Sequence, residues 1–311
     1  MDADFVGLQE LFHEEALQAV VDRYHQLLAE RDSESVAARK AYAHVWHLPN
    51  LNSSPDDPGP GLALLSRRPI LEQHAVQDLS DDPISADDVG GLDYRLTRLS
   101  RPLMIAKVTL IDGVEAWLFN AHLKSKRPIY PEGSEAEEEQ NAMFLERTTG
   151  SFRSLVLRAG EALAMRREVL RRITGSSDPL ILLGDLNDAG DAVSTEMIAG
   201  EVPYRSWNID LKKVYWDVEL YSAARIHLRR SEGVEFFSHI YNGHYGMIDH
   251  IFVSQEFYFR NGKRIGDVSF VRCFNDHLTD ASVSGAPGLG SASDHGQLVA
   301  RMFINVQDDD G

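Results

Sequence analysis

The chain has 311 residues and a formal net charge of −17, with 43% hydrophobic and 25% charged residues. This composition is typical of a globular protein with a sizeable core, and the negative charge excludes a global positive field that gathers polyanions. No apolar run reaches the length of about 18 residues that a membrane-spanning helix needs. A single cysteine, Cys273, excludes an internal disulfide. With no signal peptide visible, a cytoplasmic location is favoured.

The first third of the chain alternates strand, helix and loop patterns. Residues 4–8 are typical of the end of a strand, and residues 14–31 have apolar side chains at helical spacing. Residues 41–48 are strand-like. A loop rich in proline, glycine and asparagine follows at 49–61, and it leads into a short apolar strand at 61–66.

A hairpin and an insertion occupy the middle of the chain. The strand patterns at 102–111 and 116–121 flank Asp112-Gly113, a dipeptide that strongly favours a tight hairpin turn. Residues 126–150 are acidic and are predicted to be a loop-rich insertion.

The last part combines one long helix with further strands. A helix is predicted at 155–173, and strands at 179–184, 245–254 and 298–306. Strands dominate, most of them join through hairpins or loops, and only three helices are evident. The pattern therefore predicts an α+β fold: a four-layer α/β sandwich of two stacked, mostly antiparallel sheets flanked by helices.

Polar residues that could carry chemistry stand at the ends of the apolar strands, where a rigid scaffold presents functional groups. The first is Glu10, in the segment Gly7-Leu-Gln-Glu10. Its carboxylate suits a hard divalent cation, which prefers oxygen ligands. The alternative is a glutamate stabilised by the dipole of the helix that follows.

The second place is the segment Asn120-Ala-His122-Leu-Lys124-Ser125. A phosphoryl group needs hydrogen-bond donors for its non-bridging oxygens, and His122 and Lys124 supply them. An ordinary surface histidine and lysine are the alternative.

The third place is the segment Gly184-Asp185-Leu-Asn187, directly after a buried strand. In an extended segment Asp185 and Asn187 face the same side. An acid beside an amide can orient and deprotonate a water molecule aimed at phosphorus. A polar turn without chemistry is the alternative.

The last two places are Asp249-His250 and Asp294-His295. An aspartate among apolar strand residues is costly unless it is paired, so Asp249 is predicted to orient a histidine. His250 points to the other face and is predicted to be structural. Asp294 and His295 can divide metal binding and proton transfer between them, or they can be chance polar residues of a loop.

The order of these segments resembles the endonuclease/exonuclease/phosphatase superfamily, which includes deoxyribonuclease-I-like nucleases, abasic-site endonucleases, sphingomyelinases and inositol polyphosphate phosphatases. The segments that carry the resemblance are Gln9-Glu10, 61–69, NAHLKS, GDLN, IDHIFVS and SDHGQLVA. The HLKSK segment is similar to a bacterial branch of the superfamily. The resemblance spans residues 3–304 and implies a single domain over residues 1–311.

The resemblance also implies roles for individual residues. Glu10 would bind a catalytic Mg²⁺ or Mn²⁺ ion, and Asp294 would share or support that site. Asp185 and Asn187 would position and activate the attacking water. His122 would contact the scissile phosphate.

Four further roles follow from the same resemblance. Asp249 would hold His295, which would act on the phosphate or on a proton. The general base stays open between Asp185 and His295. Lys124 and Arg158 would contact the substrate, although for both a salt-bridged helix face or surface is the alternative.

The superfamily begins one strand earlier than this sequence, with a strand that ends in an asparagine beside the metal. Only nine residues precede Glu10, so the domain is expected to be N-terminally incomplete, or else a member that lacks activity.

The leading functional hypothesis is a metal-dependent phosphodiesterase or nuclease acting on a phosphoester, with nucleic acid among the candidate substrates. A phosphomonoesterase on a small or lipid-linked phosphate and a non-catalytic binding domain are the alternatives. The oligomeric state is not predicted.

Overall fold

The fold consists of β-strands in two layers with helices outside them. The computed structural model describes residues 2–54, 58–89, 92–130, 140–200, 203–230, 236–280 and 293–305. The strands are β1 (Phe5–Leu11), β2 (His44–Leu48), β3 (Gly61–Ser66), β4 (Ile70–Asp78), β5 (Ile84–Val89), β6 (Leu92–Leu96), β7 (Arg98–Ile111), β8 (Val114–His122), β9 (Leu180–Asp185), β10 (Tyr221–Ser222), β11 (His239–Tyr241), β12 (His244–Gly246), β13 (Asp249–Val253), β14 (Gly266–Phe274) and β15 (Gln297–Ile304). The helices are α1 (Glu14–Arg31), α2 (Glu34–Lys40), α3 (Gln140–Ile173), α4 (Val193–Ala199), α5 (Ile209–Asp217) and α6 (Ala223–Leu228).

A six-stranded sheet lies at the centre of the fold, with the strand order β10-β13-β9-β8-β7-β4. We call it the inner sheet. The neighbours in this sheet pair antiparallel except β8 and β9, which run parallel. Parallel strands need a long crossover connection, and helix α3 lies within the one that joins β8 to β9.

A second layer of strands covers one face of the inner sheet. It consists of the three-stranded sheet β1-β3-β2 and the two-stranded antiparallel sheet β14-β15. Strand β3 shows how this outer layer is built, because every residue in it is buried. Leu62 and Leu64 pack toward the inner sheet, whereas Ala63 and Leu65 pack against helix α1. Burial of both faces of β3 explains its unbroken apolar sequence.

Helix α3 covers the opposite face of the inner sheet. Ala162, Met165 and Val169 of this helix pack in one core cluster with Phe119 and Leu182 of the sheet. From one side to the other the layers are therefore helix, inner sheet, outer strands and helix α1. This arrangement confirms the predicted α+β sandwich.

A groove divides the outer layer in two. Among the described residues no strand lies between β1 and β15, and a cavity of about 780 Å³ separates them. Leu118, Ile181 and Leu183 of the inner sheet line this groove, and Asp249 and His295 line it as well. The candidate site thus borders an apolar groove.

Several elements differ from the sequence-based prediction. Helix α3 begins at Gln140, so the second part of the predicted loop-rich insertion is helical, whereas residues 131–139 lie outside the described residues. The predicted strand at 245–254 is two strands, β12 and β13, with a break at residues 247–248. Helices α2, α4, α5 and α6 are six to nine residues long. Such short helices give too little periodicity to be recognised in a sequence.

No helix of the described residues has the length and apolar character needed to span a membrane.

Gly184 allows the central parallel pair to form. It lies opposite Ala121 in the register of β8 and β9 and has a φ angle of 142°. A Cβ atom at this position would overlap the carbonyl oxygen of Ala121. Only glycine fits such a backbone without displacing the neighbouring strand.

We expect Gly184→Ala to lower the free energy of unfolding by about 3 kcal/mol or more, because both the backbone angle and the steric contact oppose it. The measurement is urea denaturation followed by circular dichroism. Gly262→Ala is the control, since no atom lies within 4 Å of the position that its Cβ would take, and it should change stability by less than about 1 kcal/mol. Equal stability of the two variants would contradict the close approach of β8 and β9.

Candidate active site

Three polar residues form a row across the inner sheet. His122 ends β8 and pairs with Asp185 at the end of β9. Asp185 in turn pairs with Asp249, the first residue of β13. Neighbouring strands lie about 4.8 Å apart, so this register brings the three side chains together without any long loop.

All three side chains of this row point into the layer between the sheets. Ile181 and Leu183 of β9 and Ile251 of β13 pack in the core cluster between the inner and outer strands. Because residues two apart share a face of a strand, Asp185 and Asp249 follow them onto the same face. The alternation of side chains along each strand thus places the row at the end of the core between the two sheets.

Asn187 holds the carboxylate of Asp185. Its backbone N–H donates to Oδ1 of Asp185 over 2.8 Å, and its Nδ2 donates to Oδ2 over 2.9 Å. Nδ2 also donates to the carbonyl of Leu123 over 2.9 Å. The extended geometry predicted for this segment is wrong, because β9 ends at Asp185 and Asn187 has a φ of 54°. The two side chains meet through a turn instead.

His295 approaches the row from the outer layer. Its Nδ1 lies 2.8 Å from Oδ2 of Asp249. Burial alone would lower the pKa of His295, but the hydrogen bond and negative charge of Asp249 outweigh it and raise the pKa to about 9. The imidazole is therefore protonated at neutral pH.

His122 is the most enclosed member of the row. Its Nε2 lies 3.3 Å from Oδ2 of Asp185 and 3.9 Å from Oε1 of Glu10, while its Nδ1 is buried without a hydrogen-bond partner. Burial, followed by the charges of Arg101 and His295, lowers the pKa of His122 to about 2. This histidine is therefore neutral, and its contacts with the two carboxylates are not ion pairs.

Asp185 lies where a negative charge is costly. Burial, followed by the charge of Asp249, raises the pKa of Asp185 to about 7, while His295 and the N–H of Asn187 act in the opposite direction. Two carboxylates share a poorly solvated space here. A cation beside them would stabilise both as anions.

Glu10 reaches the site from strand β1 of the outer layer. The register of β1 with β3 is interrupted between Leu8 and Leu11, and Glu10 lies in that interruption with a φ of 55°. Positive φ is rare for residues other than glycine, and such strain concentrates at functional sites. The side chain of Glu10 is 59% exposed.

The charged groups of Lys124 and Arg158 make their hydrogen bonds outside the row. The ammonium of Lys124 donates to the carbonyls of Ser125 and Arg127, both at 3.3 Å. Arg158 is buried, and it donates to Asp188 over 3.1 Å and to the carbonyl of Lys124 over 3.2 Å. In this arrangement Arg158 holds the segment that follows His122, and its contact with substrate stays a prediction.

Two clusters among the described residues have the spacing of metal ligands. One contains Asp185, Asp249 and His295, and the other contains His239, Asp294 and His295. Glu10 belongs to neither cluster. Asp294 stands with the two histidines, and the pairing of Glu10 with Asp294 at one ion stays a prediction.

The sequence-based interpretation missed His239 and Arg101. His239 precedes Asn242-Gly243, and an Asn-Gly pair between strand-like segments is a strong hairpin signal that places His239 close to the start of β13. Arg101 donates to the carbonyl of Leu123 over 3.1 Å. Nothing in the local sequence of Arg101 distinguishes it from a surface arginine.

We expect Asp249→Asn to lower the pKa of His295 from about 9, because burial would then be opposed only by the charges of Asp185 and Asp294. The measurement is the NMR titration of the His295 ring in metal-free protein. The ion pair contributes stability fully below pH 6.5 and loses it as the pH rises through 9, so the variant should be destabilised more near pH 6 than above pH 9. Asp112→Asn, in the turn between β7 and β8, is the control. An unchanged titration midpoint would contradict the pairing.

Comparison with known proteins identifies the fold and the family of the chain. No curated protein matched the chain in sequence. Among solved structures, the human nocturnin catalytic domain with bound sulfate is 16% identical with a TM-score of 0.52, and the match covers 97% of this chain and 81% of that one. The mannosyl-6-phosphatase Bt3783 of Bacteroides thetaiotaomicron is 17% identical with a TM-score of 0.50, covering 97% and 86%. These similarities show the fold. The model of the endonuclease/exonuclease/phosphatase family matches residues 1–295, and the chain belongs to that family.

Proposed function

We propose that the chain is a divalent-metal-dependent phosphodiesterase, with nucleic acid as the first candidate substrate. The observation that carries the proposal is the row of His122, Asp185 and Asp249, completed by His295. It combines a neutral donor, an oriented carboxylate and a cationic donor in one place. Membership of a family of phosphoester hydrolases supports the same reaction class.

The oxygen donors around Asp185 fit a hard cation such as Mg²⁺ or Mn²⁺. Asn187 uses its amide nitrogen for Asp185 and Leu123, which leaves its carbonyl oxygen as a ligand, and Glu10 faces the same nitrogen of His122 as Asp185 does. The raised pKa of Asp185, caused by burial and by Asp249, indicates a carboxylate short of positive charge. A cation held by Glu10 and the carbonyl oxygen of Asn187, beside Asp185, would act as a Lewis acid on the phosphate oxygens.

The histidines are suited to bind the phosphate. Neutral His122 presents Nε2 toward the site. Because this nitrogen is buried, it has little hydration to lose when a phosphate oxygen approaches it. His295, protonated and fixed by Asp249, supplies a positive donor.

Asp185 is the residue placed to orient the attacking water and to accept its proton. Both of its oxygens are fixed by Asn187, and a fixed base has less reorganisation to undergo during the reaction. His295 is less suited to this role because Asp249 stabilises its protonated form. We therefore assign the general base to Asp185.

Supporting residues hold the segment after His122. Glu161 is buried and accepts from the backbone N–H groups of Ser100 and Lys124 over 2.8 and 2.7 Å. Arg158 holds the carbonyl of Lys124. Because its backbone is held in this way, only the ammonium of Lys124 has to move to bind a substrate phosphate. That movement breaks its weak hydrogen bonds to Ser125 and Arg127.

A lipid-linked phosphomonoester is the second candidate substrate. The first half of α3 carries large apolar side chains that face solvent, among them Leu145, 68% exposed, and Phe152, 59% exposed. This part of the helix packs beside the segment after His122, since Ser154 donates to the carbonyl of Arg127. An apolar surface near the site favours a substrate with an apolar portion.

We expect hydrolysis of plasmid DNA, RNA and bis-p-nitrophenyl phosphate in Mg²⁺, and its loss in EDTA. Asp185→Ala and His295→Ala should each reduce turnover by about 1,000-fold or more, because each removes an acid–base or charged group from the reacting centre. Colorimetric and gel assays provide the measurement, and thermal melting by circular dichroism verifies the fold.

His74→Ala is the matched control, since His74 is exposed on β4, the edge strand of the inner sheet, and this variant should turn over like the unmodified protein. Normal activity in either site variant would refute the assignment. Cleavage of p-nitrophenyl phosphate alone would favour the monoesterase. No Mg²⁺ or Mn²⁺ binding in calorimetry, with Glu10→Ala behaving like the unmodified protein, would favour a non-catalytic binding domain.

A further inference from the structure

A basic patch lies on this otherwise acidic protein, beyond the end of β13 that is opposite Asp249. The segments 220–230 and 257–264 together contain six arginine and lysine residues and no aspartate or glutamate. The second segment lies between β13 and β14. Strand β13 has five residues, which span about 13 Å at the usual rise per residue. The patch is therefore distinct from the row that contains Asp249.

The basic side chains of the patch converge on Phe259. Arg229 directly follows α6, and it donates to the hydroxyl of Tyr258 over 2.9 Å. The guanidinium carbon of Arg229 lies 5.5 Å from the ring centroid of Phe259, and that of Arg260 lies 5.6 Å from the same centroid. Phe259 is nevertheless 38% exposed. An aromatic ring framed by two guanidinium groups thus remains open to solvent.

The loop that carries Phe259 is fixed by its own contacts. Arg264 donates to the carbonyl of Phe259 over 3.1 Å, and Nδ2 of Asn261 donates to the carbonyl of Gln255 over 3.2 Å. The ring of Tyr258 stacks on that of Tyr221, with centroids 3.8 Å apart and an interplanar angle of 8°. A surface held in this way needs little reorganisation to bind a ligand.

Most of the positive charge in the patch is not neutralised by a neighbouring acid. Arg230 pairs with Asp267 over 2.5 Å. Within the part of the chain that the structure describes, Arg229, Arg260 and Lys263 form no ion pair with a carboxylate, and all three are exposed. On a chain with a net charge of −17, such a local group of free cations favours an anionic partner.

We propose that Arg229, Phe259, Arg260 and Lys263 form a surface that binds single-stranded nucleic acid. An exposed ring accepts a base by stacking, guanidinium planes add to that stacking, and the cations contact the phosphates. In a duplex the faces of the bases are covered by their neighbours, so the ring favours a single strand. An anionic membrane is the less suitable partner, because its flat surface also approaches the rest of an acidic protein.

The surface is tested by fluorescence anisotropy with a labelled oligothymidylate at low salt in EDTA, where hydrolysis does not interfere. We expect binding that weakens with added salt, and an affinity reduced at least about tenfold in Arg229→Ala/Arg260→Ala and in Phe259→Ala. Arg31→Ala/Arg39→Ala is the matched control, because it removes the same charge from exposed positions on α1 and α2. Its affinity should change by less than about twofold.

Arg260→Gln/Lys263→Gln changes only exposed side chains of the loop, so it tests the surface even where Arg229→Ala impairs folding, and it should also weaken binding. Three results would overturn the proposal: no binding of the oligothymidylate, whether or not phosphatidylserine vesicles bind; equal affinity in the control and in the folded patch variants; or equal affinity for a duplex of the same length.

These results concern binding and do not depend on phosphoester hydrolysis, because none of the patch residues is assigned to the reaction. Binding of the oligothymidylate by a protein that hydrolyses no phosphoester would support this surface and refute the proposed function.

Discussion

The parallel pairing of β8 with β9 is the constraint on which the rest of the structure depends. It requires a crossover connection, which contains the 34-residue helix α3, and it requires a glycine at position 184 where the strands approach. It also puts His122 and Asp185 at neighbouring strand ends. Because the antiparallel partner β13 starts at the same level, Asp249 completes the row. The same pairing thus determines the helix layer, the core and the polar row.

Unfavourable local states are concentrated around that row. Among the described residues three non-glycine residues have positive φ, and two of them are Glu10 and Asn187. The third, Asn242, lies in a tight turn where asparagine is readily accommodated. Burial near the row also moves the pKa values of two neighbouring side chains in opposite directions. It raises the pKa of Asp185 and lowers that of His122. Strain and desolvation gathered in one place distinguish this region from an ordinary polar strand end.

The sequence allowed the fold class, helix α1 and most strand positions to be predicted because they depend on local patterns. The apolar run of β9 and the Asp112-Gly113 turn are features of a few consecutive residues. The environment of Arg158 could not be predicted, because its partner Asp188 lies 30 residues further along the chain. The cluster of His239 with Asp294 and His295 could not be predicted either, since it depends on how the hairpin β11-β12 docks beside β15. Register between distant segments is set by packing, and a single sequence does not contain it.

The groove between β1 and β15 separates the two parts of the outer layer that carry site residues. Gln9 and His295 line this groove from opposite walls, and among the described residues no ladder of backbone hydrogen bonds joins the walls directly. Gln9 is tied to the inner sheet by a 2.6 Å hydrogen bond to Asn120, and His295 by its bond to Asp249. Each wall is therefore anchored to the floor and not to its counterpart. Glu10 and His295 therefore reach the site from two parts of the outer layer, and each part depends on its own attachment to the inner sheet.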